Sequence, residues 1–371
     1  MKKVAIILNS AWQGYNFRLN LARELKKNNY DVSFLALEDG EYSRKLKKEF
    51  NFINININAK SINPIEDLKV CFSLYKALKL IKPDVVLNFT VKPNIYGAII
   101  SRVLNIPSIN NITGLGTVFI KKSFITKLVK LLYKVSLYCS SFTFFQNSDD
   151  QQFFIDSNLV AVKKSALLPG SGVDTKKFYP QPRKNRSTFR FLMVARLIRD
   201  KGIHEYIEAA KLLREDGIEF WILGEIGASN KTALTKEEIN KYTKQKVVNF
   251  FDRTDDVKSF LDRVDCVVLP SYREGSPRCI MEASSVELPV IVSDVPGCRQ
   301  VVDNNVTGLY CKVRDSEDLL IKMKIILKMT TNKRKKMGQM GRKKMIKNYD
   351  ESIVIQSYEQ KIIEICNQKI K

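Results

Sequence analysis

Between Cys266 and Val292 the chain reads as a strand, a loop, a helix and a second strand, and that order leaves few folds open to it. Cys266–Leu269 (CVVL) is an apolar run of strand length, and Pro289–Val292 (PVIV) is a second one rich in β-branched residues. Between them, Met281, Ser284, Ser285 and Leu288 fall at helical spacing over 277–288. In a parallel α/β sheet the loop before that helix lies at the carboxyl edge, where ligands bind. Ser276 followed by Pro277 is a helix start, since a proline at the first helical position gives up only an N–H that lacks a partner anyway. Such a start turns N–H groups and partial positive charge toward whatever lies beyond the strand. Glu274 and Glu282 flank it. Phosphates for the helix end and vicinal hydroxyls for the carboxylates are what a sugar nucleotide offers; two solvated glutamates at a helix start is the other reading.

The 371 residues exceed one ordinary domain and suit two, and 44% apolar residues suit a globular protein. The charged start Met1-Lys2-Lys3 runs straight into an apolar strand and no run of membrane-spanning length follows, so neither a signal peptide nor a membrane span is expected. Cys71, Cys139, Cys266, Cys279, Cys298, Cys311 and Cys366 show no paired short spacing and read as reduced core residues of a cytosolic protein, not a zinc site or disulfide frame. The formal charge of +23 is unevenly spread: residues 85–148 hold seven basic residues and no acid. An anionic lipid surface or a polyanionic substrate is implied, with nucleic acid as the competitor.

In chain order, Lys3–Leu8 is a buried strand, residues 9–14 the loop at its carboxyl end and Tyr15–Lys27 a helix. The turn lacks Gly-x-Gly-x-x-Gly, which argues against a dinucleotide in this half. The strands Asp84–Asn88 and Pro107–Asn110 follow, and the loops after them hold Lys92, Asn94, Asn111, Thr113, Gly114 and Gly116. Over 118–135, Phe119, Ile120, Phe124, Ile125, Leu128, Leu131, Leu132 and Val135 are apolar, while Lys127, Lys130 and Lys134 occupy another helical face behind Lys121 and Lys122. A basic amphipathic helix of this kind lies in a membrane interface, or else is a core helix with a solvated lysine face. Asp149-Asp150 opens a helix over 151–157, where acids serve as a cap.

Residues 169–183, rich in proline, glycine and charge, read as a linker. The strand Phe189–Val194 ends in Ala195-Arg196, with Lys201-Gly202 before the helix Ile203–Arg214, and the strand Gly217–Leu223 ends at Gly224-Glu225. Arg196 and Lys201 on one strand-to-helix loop can grip a diphosphate, the arginine as a fork and the lysine as a point charge; chance placement in so basic a chain is the alternative. The eight basic residues of 332–347 read as a solvated helical face, and the last helix as 349–370.

Glu274, seven intervening residues and Glu282, preceded by LPSYREGSP and followed by PVIVSDVPG, resemble the signature of retaining glycosyltransferases of family four, with PGSGVDTKKFYP similar to their linker. The overall pattern resembles transferases of bacterial capsule, O-antigen and glycan assembly, including lipid-linked-sugar N-acetylgalactosaminyltransferases. The resemblance implies an α/β GT-B fold: two Rossmann-like domains whose parallel sheets face across a cleft. It divides the chain into an acceptor-binding domain (1–166), a linker (167–187), a donor-binding domain (188–348) and a terminal helix crossing back to the first domain (349–371). It implies transfer, with retention, of an N-acetylhexosamine or related hexose from a UDP-sugar to a polyprenyl-diphosphate-linked saccharide.

Under that resemblance Arg196 and Lys201 bind the donor diphosphate, Glu274 holds the donor sugar, and Glu282 takes the ribose hydroxyls. Gly275, Ser276, Pro277, Gly224 and Glu225 complete the donor side, and Gly14, Asn16, Arg18, Lys92, Asn111 and Thr113 line the acceptor side. A plain surface residue is the alternative for Arg18. No metal and no cofactor are expected, the UDP-sugar being a co-substrate. The partners expected are the nucleotide-sugar donor, the polyprenyl-diphosphate-linked acceptor and the anionic inner face of the plasma membrane, touched through Lys121, Lys122, Lys127, Lys130 and Lys134; no nucleic acid is expected. The family's first-domain histidine has no counterpart, because the only histidine is His204. A sugar-nucleotide epimerase on the same fold and a basic nucleic-acid-binding protein are the rival readings.

Overall fold

Both halves are parallel sheets buried on two faces, which explains why their strands are short runs of nearly continuous apolar residues. The computed structural model describes residues 1–58, 61, 63–114, 124–182, 186–226 and 232–368. The chain divides into one unit of Met1–Ser171 with Val354–Lys371, and a second of Gly172–Ile353.

The first sheet contains β1 (Lys2–Ser10), β2 (Tyr30–Leu37), β3 (Asn51–Asn54), β4 (Val85–Phe89), β5 (Ser108–Ile112), β6 (Phe142–Phe145) and β7 (Ser165–Leu167) in the order β3-β2-β1-β4-β5-β6-β7. Along β1, Val4, Ile6 and Leu8 pack on one side, and Ala5 and Ile7 on the other. Val354, Tyr358, Ile362 and Ile365 of the helix Glu351–Gln368 join the first of these cores.

The second sheet contains β8 (Phe189–Val194), β9 (Ile218–Leu223), β10 (Asn249–Phe251), β11 (Cys266–Leu269), β12 (Val290–Ser293) and β13 (Gly308–Cys311) in the order β10-β9-β8-β11-β12-β13. Phe191 and Met193 face one core of this unit and Leu192 the other. In each sheet the strand order reverses once, between β1 and β4 and between β8 and β11, and the loops leaving those strands diverge to make a crevice at the carboxyl edge.

Several local expectations shift. Residues 11–14 are not a loop: the first helix runs Ala11–Lys27, because Ser10 caps it by accepting from Gln13 N. Asn111 is not in a loop either but pairs within β5, opposite Phe89 on one side and Phe144 on the other. The basic run after 331 is only partly a solvated face. Arg342 reaches the carbonyls of Phe178 and Ser285, Arg334 reaches those of Ile326, Leu327 and Met329, and Lys344 pairs with Asp303 at 2.8 Å. Residues 173–178 of the expected linker are thereby fixed in the second unit, where Thr175 also donates to Asp350.

Candidate active site

The second unit's crevice is built from the loops leaving β8, β9, β11 and β12, and close backbone packing at glycines holds them together. At Gly224, after β9, a Cβ would lie 2.0 Å from the carbonyl oxygen of Ala195, after β8. At Gly202 a Cβ would lie 2.0 Å from the Pro270 carbonyl after β11, and its φ of +74° is a left-handed value that glycine adopts without penalty. At Gly297 a Cβ would lie 2.6 Å from the Glu274 carbonyl and 2.5 Å from that of Gly275. Polar bonds complete the stapling: Tyr272 N donates to the Asp200 carbonyl at 2.9 Å, and the Tyr272 hydroxyl donates to Glu205 at 2.7 Å.

On this frame Lys201 Nζ donates to Glu274 Oε1 at 2.5 Å, both side chains mostly buried. Arg196, on the same loop as Lys201, is exposed, as is Glu225 beyond Gly224. Glu282 is 8% exposed and accepts from Arg278 Nε at 2.8 Å, one helical turn before it. Burial pushes the Glu282 carboxyl above the usual range, against the pull of Arg278 and Lys177. Burial likewise pushes the Cys279 thiol up to about 12, helped by Glu274, and holds the Cys298 thiol well above its ordinary value. Neither thiol is a nucleophile at neutral pH.

The helix after this loop starts one residue later than expected. It runs Arg278–Ser285 with Pro277 as its cap residue, and the Ser276 hydroxyl lies 3.9 Å from Met281 Sδ instead of capping. With ψ of 105° Pro277 is still extended, so its carbonyl receives the N–H groups of Ile280 and Met281 and opens the first turn. Sequence reasoning missed three supports of this crevice: Arg278 on Glu282, Tyr272 on Glu205, and Gly297 against Glu274. Arg278 was legible as an i,i+4 partner; the other two join loops far apart in the chain.

The first unit differs in kind. Gly14 sits in the first helical turn, where a Cβ would come 3.2 Å from Leu46 and Phe34. Asn16 donates back to Trp12 O at 3.1 Å. Arg18 is no surface arginine: it is 4% exposed, with its guanidinium 4.2 Å from the ring centre of Phe89. Lys92 pairs with Asp67 at 2.5 Å, and Tyr96 donates to the same carboxylate at 2.6 Å, so the lysine's charge is engaged within the unit. Asn111 is fully buried: it donates to the Tyr358 hydroxyl at 2.5 Å, accepts from Gln146 at 3.2 Å, and exchanges bonds with Asn94 through its main chain. Thr113 follows directly on β5 and is half-buried. Lys121 and Lys122 lie outside the described residues.

The helix Phe124–Cys139 packs Tyr133 and Leu137 inward. Leu128, Leu131, Val135 and Tyr138 are exposed along one stripe, beside exposed Lys127 and Lys134; Lys130 covers the Phe153 ring at 4.9 Å. Contrary to the separate apolar and basic faces expected, exposed apolar residues and lysines thus share a side. No described helix is long and apolar enough to cross a membrane, and no metal-holding cluster occurs among the described residues. The Asp149-Asp150 pair lies in the first turn of the helix Ser148–Asp156, Asp150 receiving a bond from the cap residue Asn147 at 2.9 Å.

Comparison with known proteins agrees across both units. Residues 174–344 match the family Glycosyl transferases group 1, and residues 3–148 match Glycosyl transferase 4-like. The chain is 29% identical, over 93% of its length and 94% of the relative's, to the N,N'-diacetylbacillosaminyl-diphospho-undecaprenol alpha-1,3-N-acetylgalactosaminyltransferase of Campylobacter jejuni. It is 29% identical, over 80% of each chain, to the UDP-Gal:alpha-D-GlcNAc-diphosphoundecaprenol alpha-1,3-galactosyltransferase of Escherichia coli. Among solved structures, Anabaena HepE in complex with UDP-glucose superposes with a TM-score of 0.80 at 16% identity, covering 98% of this chain and 100% of that one.

Proposed function

Starting from a chain that is a GT-B glycosyltransferase, its first half glycosyl transferase 4-like and its second half of group 1 type, we propose that it moves a hexose or N-acetylhexosamine from a UDP-sugar to a polyprenyl-diphosphate-linked saccharide, with retention at the anomeric carbon. The observation that carries this reading is the stapled crevice at the β8/β11 reversal, where one loop offers Lys201 and Arg196 and the next offers Glu274. Breaking the bond from C1 to the phosphate oxygen leaves a nucleoside diphosphate with added negative charge. Lys201 and Arg196 stabilise it as it forms, and a preorganised cation inside a desolvated crevice does so far better than water does. Glu282, aligned by Arg278, accepts from the ribose hydroxyls, and Glu274 accepts from hydroxyls of the donor sugar. Gly275, Ser276, Pro277, Gly224 and Glu225 form the surrounding wall.

The acceptor oxygen forms its bond to C1 on the face that the phosphate leaves, and its proton passes to the departing phosphate oxygen. No metal, no separate cofactor and no side-chain base enters this scheme. The first unit takes the acceptor: Gly14, Asn16, Arg18, Lys92 and Asn111, engaged within the unit, shape its carboxyl edge, and half-buried Thr113 stands at the end of β5. The relatives' names, which specify undecaprenyl-diphosphate-linked substrates, support the acceptor class.

A lipid-linked acceptor calls for a membrane surface, and the exposed stripe of Leu128, Leu131, Val135 and Tyr138 beside Lys127 and Lys134 suits the cytoplasmic leaflet. The helix Pro64–Ile81 adds exposed Ile65, Leu68 and Phe72 at spacings of one helical turn. The test is incubation with UDP-galactose, UDP-N-acetylgalactosamine and UDP-N-acetylglucosamine, each with undecaprenyl-diphosphate-linked N-acetylhexosamine. Release of UDP with a lengthened lipid-linked product is the expected result, and no UDP release from any donor would sink the reading. Changing Lys127, Lys130 and Lys134 to glutamate should cut binding to phosphatidylserine vesicles by about a hundredfold, at roughly 1 kcal/mol for each lysine lost; undiminished binding would remove this helix from the membrane contact.

A further inference from the structure

The first sheet also reverses its strand order, between β1 and β4, and its carboxyl edge holds polar groups that the protein leaves unused. β1 and β4 pair in parallel up to Ile7 with Asn88. Two residues further on stand Asn9, the next-to-last residue of β1, and Thr90, the first residue beyond β4, and Gln13 follows in the first turn of the helix Ala11–Lys27. Asn9 Oδ1, Gln13 Oε1 and Thr90 Oγ1 are all buried, and none has a hydrogen-bond partner among the described residues. A buried acceptor without a donor costs on the order of 1–3 kcal/mol, so three along one sheet edge are not a neutral feature. Close by, Asn94, Asn110 and Asn111 are bonded to one another and to Gln146 and Tyr358.

The backbone here is also under strain. Thr90 has a φ of +73°, a left-handed value at a β-branched residue. Glycine or asparagine takes that conformation more cheaply, and the cost for threonine is on the order of 1–3 kcal/mol. Three residues later the chain winds a π-helical turn, Pro93–Gly97, a form that concentrates at functional sites.

We propose that Thr90, Asn9 and Gln13 form the subsite that receives hydroxyl groups of the acceptor sugar, with the strained turn holding Thr90 Oγ1 in place. Two amide oxygens and one hydroxyl are hydrogen-bond acceptors that call for a ligand bringing several donors, and vicinal sugar hydroxyls do so. The trio is neutral, which suits a sugar ring and not a diphosphate. The assignment rests on the proposed function, under which the first unit takes the acceptor; it adds the residues that recognise the sugar and makes Thr90 a specificity-determining residue.

The decisive variants are Thr90→Gly, Thr90→Ser and Asn9→Ala, assayed with undecaprenyl-diphosphate-linked N-acetylhexosamine and the donor the wild type uses. Thr90→Gly accepts the left-handed φ, so its thermal midpoint should equal or exceed that of the wild type. Its KM for the lipid-linked acceptor should rise about tenfold, the effect of one lost hydrogen bond, while its Kd for UDP moves less than about twofold. Asn9→Ala should behave alike in KM, and Thr90→Ser, which keeps the hydroxyl, should restore it. An unchanged acceptor KM in Thr90→Gly and Asn9→Ala, with UDP binding intact, would overturn the subsite and leave the transferase reading standing, showing that only water fills the recess. An equal loss of UDP affinity would overturn it by giving the recess to the donor. A wild-type chain that binds UDP and turns over none of the donors would overturn both.

Discussion

The two carboxyl edges solve different problems with different chemistry. At the β8/β11 edge the functional groups are charged and already paired, Lys201 with Glu274 and Glu282 with Arg278. At the β1/β4 edge the charges of Arg18 and Lys92 are engaged within the unit, and neutral amides and hydroxyls predominate, most bonded into one buried network, with Asn9 Oδ1, Gln13 Oε1, Asn88 Oδ1 and Thr90 Oγ1 left without partners among the described residues. A charge is costly to bury alone, so the second unit holds the mostly buried Lys201 and Arg278 each against a carboxylate, while Arg196 stays exposed; under the proposed function a donor's hydroxyls later occupy those carboxylates. Neutral acceptors can be buried unpaired at a cost of about 1–3 kcal/mol each, so the first unit can leave them waiting. Under the proposed function, chemistry is concentrated at one edge and recognition at the other.

The largest expected effect would break that division if it failed. Lys201→Ala removes a cation from the forming diphosphate and should lower kcat by about 10²–10³, as loss of one preorganised transition-state donor does elsewhere; steady-state UDP release measures it. A loss of less than about tenfold would move the charge stabilisation elsewhere.

Glu282→Gln sharpens the comparison through pH. Because burial raises the Glu282 pKa, protonation of this carboxyl favours the folded chain. Its stabilising contribution is full below the unfolded-state pKa and disappears as pH rises through the folded value. Glu282→Gln should therefore flatten the fall in thermal midpoint over that interval. It should also weaken UDP binding near neutral pH by about tenfold, as expected for a lost charged hydrogen bond. In the wild type, UDP affinity should fall when acid protonates Glu282. Calorimetric titration of both proteins across acid pH checks this, and an identical pH profile in the variant would exclude Glu282 from the nucleotide site.

The smallest expected effect belongs to the neutral edge. Tyr358→Phe removes the hydroxyl that receives the Asn111 side-chain bond and leaves that buried amide short of a partner. A loss of about 1–3 kcal/mol in urea unfolding is expected, with the Kd for UDP unchanged. If UDP affinity fell with it, the two edges would not be independent.

Much of the second unit was legible because its elements are local. The strand Phe189–Val194 lies where its short apolar run places it, and β11 and β12 are within a residue of their apolar runs. Several short or weakly patterned elements across both units escaped, three of them instructive. The strand Asn51–Asn54 (NFIN) is a four-residue edge strand with asparagine at both ends. The helix Glu41–Lys47 is seven residues long. Lys236–Lys244 buries only Ile239 and lacks an apolar stripe, although Thr235 and Glu238 form a capping box that the spacing T-x-x-E advertises.

In the site, the sequence by itself determined which residue types sit after which strands: Arg196 and Lys201 after β8, Glu274 after β11, and Glu282 one turn into the helix that follows. Hydrophobic periodicity and turn chemistry are properties of neighbouring residues, so they can be read from the string. Only the tertiary structure decided that Lys201 meets Glu274, that Lys92 meets Asp67, that Arg18 lies over Phe89 and that Thr90 is held at a φ of +73°. The physical reason is strand order: β8 and β11 become neighbours through packing of whole βα units, and partners 73 positions apart leave no periodic trace in the segments that carry them.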